Sequence, residues 1–214
     1  LALRGVPVFN TARAIEHTVD KARTSLLLAH HGIPTPRAFV SDSLERTAAH
    51  VEAALARGEI LVKKPLFGSQ GKGLRRIRTM DDLSYLMPGE VAYLQPFIGP
   101  ANGPYKDYRV LVVDGAAVAA MRRESAHWIT NRAQGARCHA HALDDVLATL
   151  AERATAAVGA DYAGVDLLRD ENGRWWVTEV NGVPAWLGLQ QATGLDISGL
   201  LAGALWRRMT TARG

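Results

Sequence analysis

Asp166 and Glu179 are the residues of this 214-residue chain whose types and spacing point most directly to chemistry. They sit in two apolar runs, Gly164-Val165-Asp166-Leu167-Leu168 and Val177-Thr178-Glu179-Val180-Asn181, joined by a stretch containing Asn172-Gly173. Asn-Gly between such runs marks a hairpin turn. With those two as the central turn residues, Asp166 falls directly opposite Glu179, and Asn181 points to the same face two residues further along. Like charges opposed across a sheet destabilise it unless something neutralises them. Two carboxylates and an amide oxygen converging within about 5 Å make a hard-oxygen donor set, suited to Mg²⁺ or Mn²⁺ and not to zinc. The competing reading is a sheet edge facing water. The apolar neighbours weigh against it, because a buried carboxylate requires a partner.

A second constellation is the run Lys64-Pro65-Leu66-Phe67-Gly68-Ser69-Gln70-Gly71-Lys72-Gly73. Its glycines allow close backbone approach, and successive N–H groups can cradle phosphate oxygens. The spacing is not that of a Walker A loop, since the lysine precedes the glycines and a strand follows. Joined to a two-carboxylate site downstream, it suggests a nucleotide triphosphate with its metal, with the preceding lysine as a point charge on phosphate. Lysine is scarce: of 25 basic residues only Lys21, Lys63, Lys64, Lys72 and Lys106 are lysines. Either composition bias explains this, or the lysines serve particular tasks. Neighbours in a strand face opposite ways, so only one of Lys63 and Lys64 can enter a site.

The elements that must position these groups follow from periodicity. Helices are predicted over 20–31, 43–57, 81–86, 143–158 and 196–209, with Ser43 as an N-cap and Gly32 and Gly58 as stops. Strands are predicted over 60–62, 74–78, 91–95, 108–113, 116–121, 163–168 and 175–180. Asp114-Gly115 closes a second hairpin. The two hairpins make part of the sheet antiparallel, so the fold class is α+β. A Gly, Pro and Asn cluster over 99–104 reads as a connector between lobes. Composition adds exclusions. The chain is 48% hydrophobic and 21% charged with a net charge of +4, which excludes disorder. It has no apolar run long enough for a membrane span. It has no basic run interleaved with aromatics, so no nucleic-acid partner is expected. A single cysteine, Cys138, excludes an internal disulfide and fits a cytoplasmic location. The Cys138-His139-Ala140-His141 cluster cannot surround zinc from one short strand.

The ordered set of motifs resembles the RimK-like group of ATP-grasp ligases, including its LysX type. The resemblance runs through Asn10, Asp20-Lys21, Gly32-Ile33-Pro34-Thr35-Pro36, the glycine loop and Asp107-Tyr108-Arg109-Val110. It continues through His127-Trp128-Ile129-Thr130-Asn131 and Ala163-Gly164-Val165-Asp166 to Glu179-Val180-Asn181. It implies an ATP-grasp fold of two α+β lobes clasping ATP. The implied activity is an ATP-dependent ligase that activates a carboxylate as an acyl phosphate and joins it to an amino acid, glutamate or a relative. The acceptor would be a carrier protein, a protein tail or a glutamyl cofactor. The resemblance further implies that Lys21 and Lys64 hold the phosphates, that Gly68, Ser69, Gln70, Gly71 and Gly73 close over them, and that Gln95 to Phe97 form a hinge at the adenine. Asp107 would help bind nucleotide. Asp166, Glu179 and Asn181 would carry Mg²⁺, and Arg109, Arg123 and Asn131 would face the transferring phosphoryl group. The implied division is 1–19 as the exit of a preceding domain, 20–98 as the smaller lobe and 99–214 as the larger. Relatives are often homo-oligomers.

Some positions depart from the pattern. Pro96 stands where the hinge commonly has an acidic residue, and Gly182-Val183-Pro184-Ala185 replaces the usual turn after Asn181. Arg122 and Arg123 compete for one role. The Asp114-Gly115 register puts Arg122 on the face of Asp107 and Arg109, the resemblance favours Arg123, and a β-bulge would reconcile them. His127 is read as a packing or substrate contact, Trp175 and Trp176 as core and edge of a strand, and Trp186 and Trp206 as core. Two other functions stand beside the ligase: a nucleotide-binding module without ligase activity, and an ATP-dependent kinase.

Overall fold

The computed structural model describes residues 4–68, 71–86 and 89–211. Its elements, in chain order, begin with α1 (Ala12–Val19), α2 (Lys21–His30), β1 (Phe39–Ser41), α3 (Leu44–Ala56), β2 (Leu61–Lys64), β3 (Arg75–Ile77) and β4 (Ala92–Pro96). They continue with β5 (Tyr105–Val113), β6 (Ala116–Ser125), β7 (Arg137–His141), α4 (Asp145–Val158), β8 (Tyr162–Arg169), β9 (Trp175–Asn181), α5 (Leu187–Thr193) and α6 (Ile197–Thr211). Side-chain caps start the helices where expected. The Ser43 hydroxyl accepts from the Arg46 N–H to open α3, and the Asp20 carboxylate accepts from the Ala22 and Arg23 amides to open α2, which places Lys21 at its first position. The 81–86 helix is a 3₁₀ helix over Met80–Tyr85. Among the described residues, α1, β1, β7 and α5 add to the expected elements. No described helix is long and apolar enough to cross a membrane.

The strands form two sheets, ordered β1-β4-β2-β3 and β7-β6-β5-β8-β9. Every described pairing is antiparallel, a stronger form of the mixed sheet that was expected. The first sheet packs on α3 through Val51, Ala54, Leu61, Ile77 and Leu94. The second is buried on both faces, which is why Val110-Leu111-Val112-Val113 is apolar without alternation. Val110 and Val112 meet Leu147, Ala151 and Val158 of α4, whereas Leu111 and Val113 share the opposite core with Leu189 of α5 and Ile197 and Ala204 of α6. Asp107 and Arg109 carry that second parity towards the open end of β5. The site is thus the polar continuation of a core face.

Helix α2 joins the two sheets. Leu28 and the following Ile33 belong to the core of the second sheet, while the Ser25 hydroxyl hydrogen-bonds the Tyr93 hydroxyl of the first at 2.6 Å. Residues 20–33, expected in the smaller lobe, therefore contribute to both.

Candidate active site

The two sheets enclose a cleft. Lys21 and Lys64 line it from the first side with the glycine loop, and Asp107, Arg123, Asp166 and Glu179 line it from the second. The deepest part is a charge ladder. Arg109 grips Asp166 through two hydrogen bonds of 2.6 and 2.7 Å. Arg123 grips Asp107 through two of 2.6 Å, and its Nη2 also reaches Asp166 at 2.9 Å. The Thr130 hydroxyl donates to Asp107 at 2.7 Å. Such bidentate pairs are the stronger class of ion pair, and here they are dry: Arg123 is 3% exposed and Asp166 5%. Burial alone would raise the Asp166 carboxyl, but the two guanidiniums outweigh it and hold Asp166 down at about 2. Asp166 is therefore ionised throughout the working range.

Register decides which residues meet. Asp166 is directly opposite Glu179, but Leu167 pairs with Val177, so the register shifts by one and Thr178 is the extra residue in β9. In the other hairpin Val112 pairs with Ala117 and Leu111 with Ala119, leaving Val118 as the extra residue of β6. That shift puts Arg123 opposite Asp107. Arg122 faces the other way and pairs with Glu124 at 3.3 Å. The bulge that would reconcile the two arginine assignments is present.

The lysines divide in the same manner. Lys63 is buried and spoken for, donating to Glu90 and to the Tyr85 carbonyl, both at 2.7 Å. Lys64 turns into the cleft. Desolvation pushes it down to about 8, partly offset by Glu179. Lys21 donates to the Gly68 carbonyl at 2.7 Å beneath the glycine loop. Lys72 and Lys106 also line the cleft, so four of the five lysines do.

The loop itself docks tightly. Gly71 has a φ of +72°, and a Cβ there would lie 2.5 Å from Asn131 Oδ1 and 2.7 Å from Ile129 Cγ2. Only glycine permits that conformation and approach together. Gly73 also takes a left-handed φ, of +74°. Ser69 and Gln70 lie outside the described residues. At the hinge, Gln95 is 1% exposed and its amide donates to the Pro36 carbonyl at 3.1 Å, with Oε1 unpaired among the described residues. The Phe97 N–H is taken by the Ile60 carbonyl at 2.7 Å, so at this hinge that amide does not face a base.

Three described residues of the predicted set do not line the cleft: Gly73, Arg109, which stands behind Asp166 as its ion-pair partner, and Asn181, which pairs with Gly164 and whose Oδ1 accepts from the Val183 N–H at 2.9 Å. Sequence reasoning assigned no role to Thr130 or Trp128. The signal was available in the His127-Trp128-Ile129-Thr130-Asn131 stretch, all of whose last four residues line the cleft.

Among the described residues no group of three or more His, Cys, Asp or Glu gathers for a metal ion. The donors present still fit Mg²⁺ in type. Glu179 has no hydrogen-bond or ion-pair partner among the described residues and faces Asp166 across the hairpin. Mg²⁺ takes one or two carboxylates and completes its shell with phosphate and water.

The RimK-like ATP-grasp domain matches residues 18–205. The chain is 36% identical over 200 residues to a tetrahydromethanopterin:alpha-L-glutamate ligase of Methanococcus maripaludis, covering 90% of this chain and 67% of that one. It is 31% identical over 207 residues to the alpha-aminoadipate–LysW ligase LysX of Saccharolobus solfataricus, covering 92% and 73%. Among solved structures, the ATP-grasp ligase PsnB, complexed with minimal precursor, Mg and ADP, superposes with a TM-score of 0.75 at 24% identity, over 98% of this chain and 64% of that one. The α+β architecture is accordingly the ATP-grasp fold. The expectation of an ATP-dependent C–N ligase is met by relatives that are themselves named ligases, and the chain belongs to the RimK-like ATP-grasp family of ATP-dependent ligases.

Proposed function

We propose that this chain carries the ATP-binding and catalytic part of a ligase joining a carboxylate to the amino group of glutamate or a related acidic amino acid. The observation that carries the reading is the polarity of the cleft. Five cationic side chains (Lys21, Lys64, Lys72, Lys106 and Arg123) line it against three carboxylates (Asp107, Asp166 and Glu179), which suits a nucleotide together with a second anion. Both relatives' names pair an acidic α-amino acid with a larger partner.

In this reading Lys21 and Lys64 bind phosphate oxygens, and Gly68 and Gly71 bring backbone close to them. The carboxylate oxygen of the acceptor attacks the γ-phosphorus, the bond to the β-bridging oxygen breaks, and ADP leaves. The amine then attacks the acyl carbon, the bond to phosphate breaks, and the amine proton passes to solvent. In this reading Arg109, Arg123 and Asn131 face the charge that accumulates in both steps, and the two arginines are fixed beforehand by the Asp107 and Asp166 carboxylates, so little reorganisation is needed. Asp166 and Glu179 would hold Mg²⁺, which supplies charge neutralisation of the phosphates when bound.

The test is ADP release by the purified full-length protein across acid and amine pairs. Release that requires both substrates supports the reading, whereas AMP and pyrophosphate would sink it. A phosphorylated product formed without amine would instead mark a kinase.

A further inference from the structure

Arg76 of β3 is a guanidinium in an unusual setting. Its Cζ lies 3.9 Å from the ring centroid of Phe97, 4.8 Å from that of Trp128 and 5.0 Å from that of Tyr105. The rings are arranged edge to face: Phe97 stands at 77° to Trp128 and 78° to Tyr105. The Nε and Nη2 atoms are buried with no hydrogen-bond partner among the described residues, and Nη1 reaches only the Tyr105 hydroxyl, at 3.5 Å. A guanidinium with one long hydrogen bond is costly to bury, and three aromatic rings are what compensates it here.

The box spans the cleft. Arg76 belongs to the first sheet and Phe97 follows it, whereas Tyr105 opens β5 and Trp128 lies beyond β6, both on the second. The three rings line the cleft and Arg76 stands behind them. Trp128 is followed by the residues that seat the glycine loop, Ile129 and Asn131, and by Thr130, which holds Asp107. Fixing Trp128 thus fixes a four-residue segment that touches both the glycine loop and the charge ladder.

We propose that Arg76 is a positioning residue: through Trp128, Tyr105 and Phe97 it docks the 128–131 segment onto the first sheet and holds the cleft in its nucleotide-ready form. The proposal rests on the reading above only for the place of the nucleotide. A cleft held ready spends no binding energy on closing, so loss of the latch weakens nucleotide binding and spares turnover at saturation.

The experiment measures binding of a non-hydrolysable ATP analogue with Mg²⁺, and ADP release where the wild type shows it, in Arg76→Met, Arg76→Lys, Trp128→Leu and the Arg76→Met/Trp128→Leu double variant. Arg76→Met is expected to bind the analogue roughly tenfold more weakly, with kcat within about twofold, in line with a desolvated cation–π contact. Arg76→Lys, which keeps the cation, should recover to within about threefold of wild type. The double variant should be no weaker than the weaker single one. Trp128 emission, isolated by subtracting Trp128→Phe, should shift in Arg76→Met. Unchanged affinity in Arg76→Met, additive losses in the double variant, or a fall in kcat and thermal stability together with unchanged affinity would each overturn the proposal. Should Arg76→Met not fold, Arg76→Gln paired with Trp128→Leu carries the same cycle. A wild type that binds the analogue but never releases ADP would refute the ligase reading and leave the latch to be judged on affinity alone.

Discussion

The two hairpins of the second sheet reach the site by opposite routes. In β5–β6 the turn is the two-residue kind that Asp114-Gly115 dictates, with both residues left-handed at φ 54° and 81°. Carried straight on, that register would aim Arg122 at the site, and the shift at Val118 substitutes Arg123. In β8–β9 the turn is longer. The Asp170 carboxylate accepts from the Asn172 and Arg174 amides, its N–H donates to the Arg174 carbonyl and its carbonyl accepts from the Gly173 N–H, so the strands leave the turn one residue out of the two-residue register. The shift at Thr178 restores Asp166 opposite Glu179. A well-formed turn therefore led to the wrong arginine, and a misread turn led to the right carboxylates. Turn chemistry sets register only as far as the next bulge, and bulges gather where a side chain must be re-aimed.

The hairpins also differ in neutralisation. Asp107 is satisfied by Arg123 of its own hairpin and by Thr130 just beyond it. The second depends on outsiders: Asp166 on Arg109 and Arg123, and Glu179 on the charge of Lys64 across the cleft. Asp166→Ala should be the most damaging change, because it strands the Arg109 guanidinium and removes one of the two carboxylates that hold Arg123. A loss of about 3–5 kcal/mol in urea unfolding is expected, with ADP release abolished. A variant within 1 kcal/mol of wild type would show that the hairpins are not coupled through these arginines. Next comes the neighbouring pair in β6. Arg123→Met should cost about 3 kcal/mol and the activity, since it leaves Asp107 buried without its partner. Arg122→Met, whose ion pair is about a third exposed on each side, should stay within about 1 kcal/mol. Equal effects would erase the distinction the bulge creates.

A pH profile tests the outward-facing half of the second hairpin. Because burial pushes Lys64 down to about 8, the lysine is charged below that pH and neutral above it. kcat/KM for ATP, which reports the free enzyme, should fall as pH rises through about 8. Lys64→Arg, which stays charged, should flatten the profile. The smallest effect is expected at Thr178, whose hydroxyl donates to the Asp166 carbonyl at 3.2 Å. Thr178→Val should cost at most about 1 kcal/mol in thermal melts and leave ADP release nearly intact. Loss of activity there would mean that the extra residue does more than set register.

Much of the fold was legible because local chemistry agreed with it. Ser43 caps α3, Asp114-Gly115 turns the first hairpin, and the glycine loop follows a lysine-bearing strand. Two of the elements that escaped, β7 and α5, had weak local signal. β7 is Arg-Cys-His-Ala-His, with no β-branched residue, and exists because β6 offers it an edge; α5 contains a glycine and is seven residues long. The absence of Asn181 from the cleft lining was equally invisible, because its amide found the Val183 N–H next door.

By itself the sequence determined the inventory: which carboxylates, arginines and lysines could do phosphoryl chemistry, and which glycines and turns could bring backbone close to it. Tertiary structure alone decided the choices between neighbours. Arg123 over Arg122 and Lys64 over Lys63 are each a difference of one residue in a strand, and one residue is the difference between two faces of a sheet. Only the partner strand and the core face it buries can select between them. That selection is what turns a list of charged residues into a cleft with Asp166 held by two arginines and four lysines along its walls.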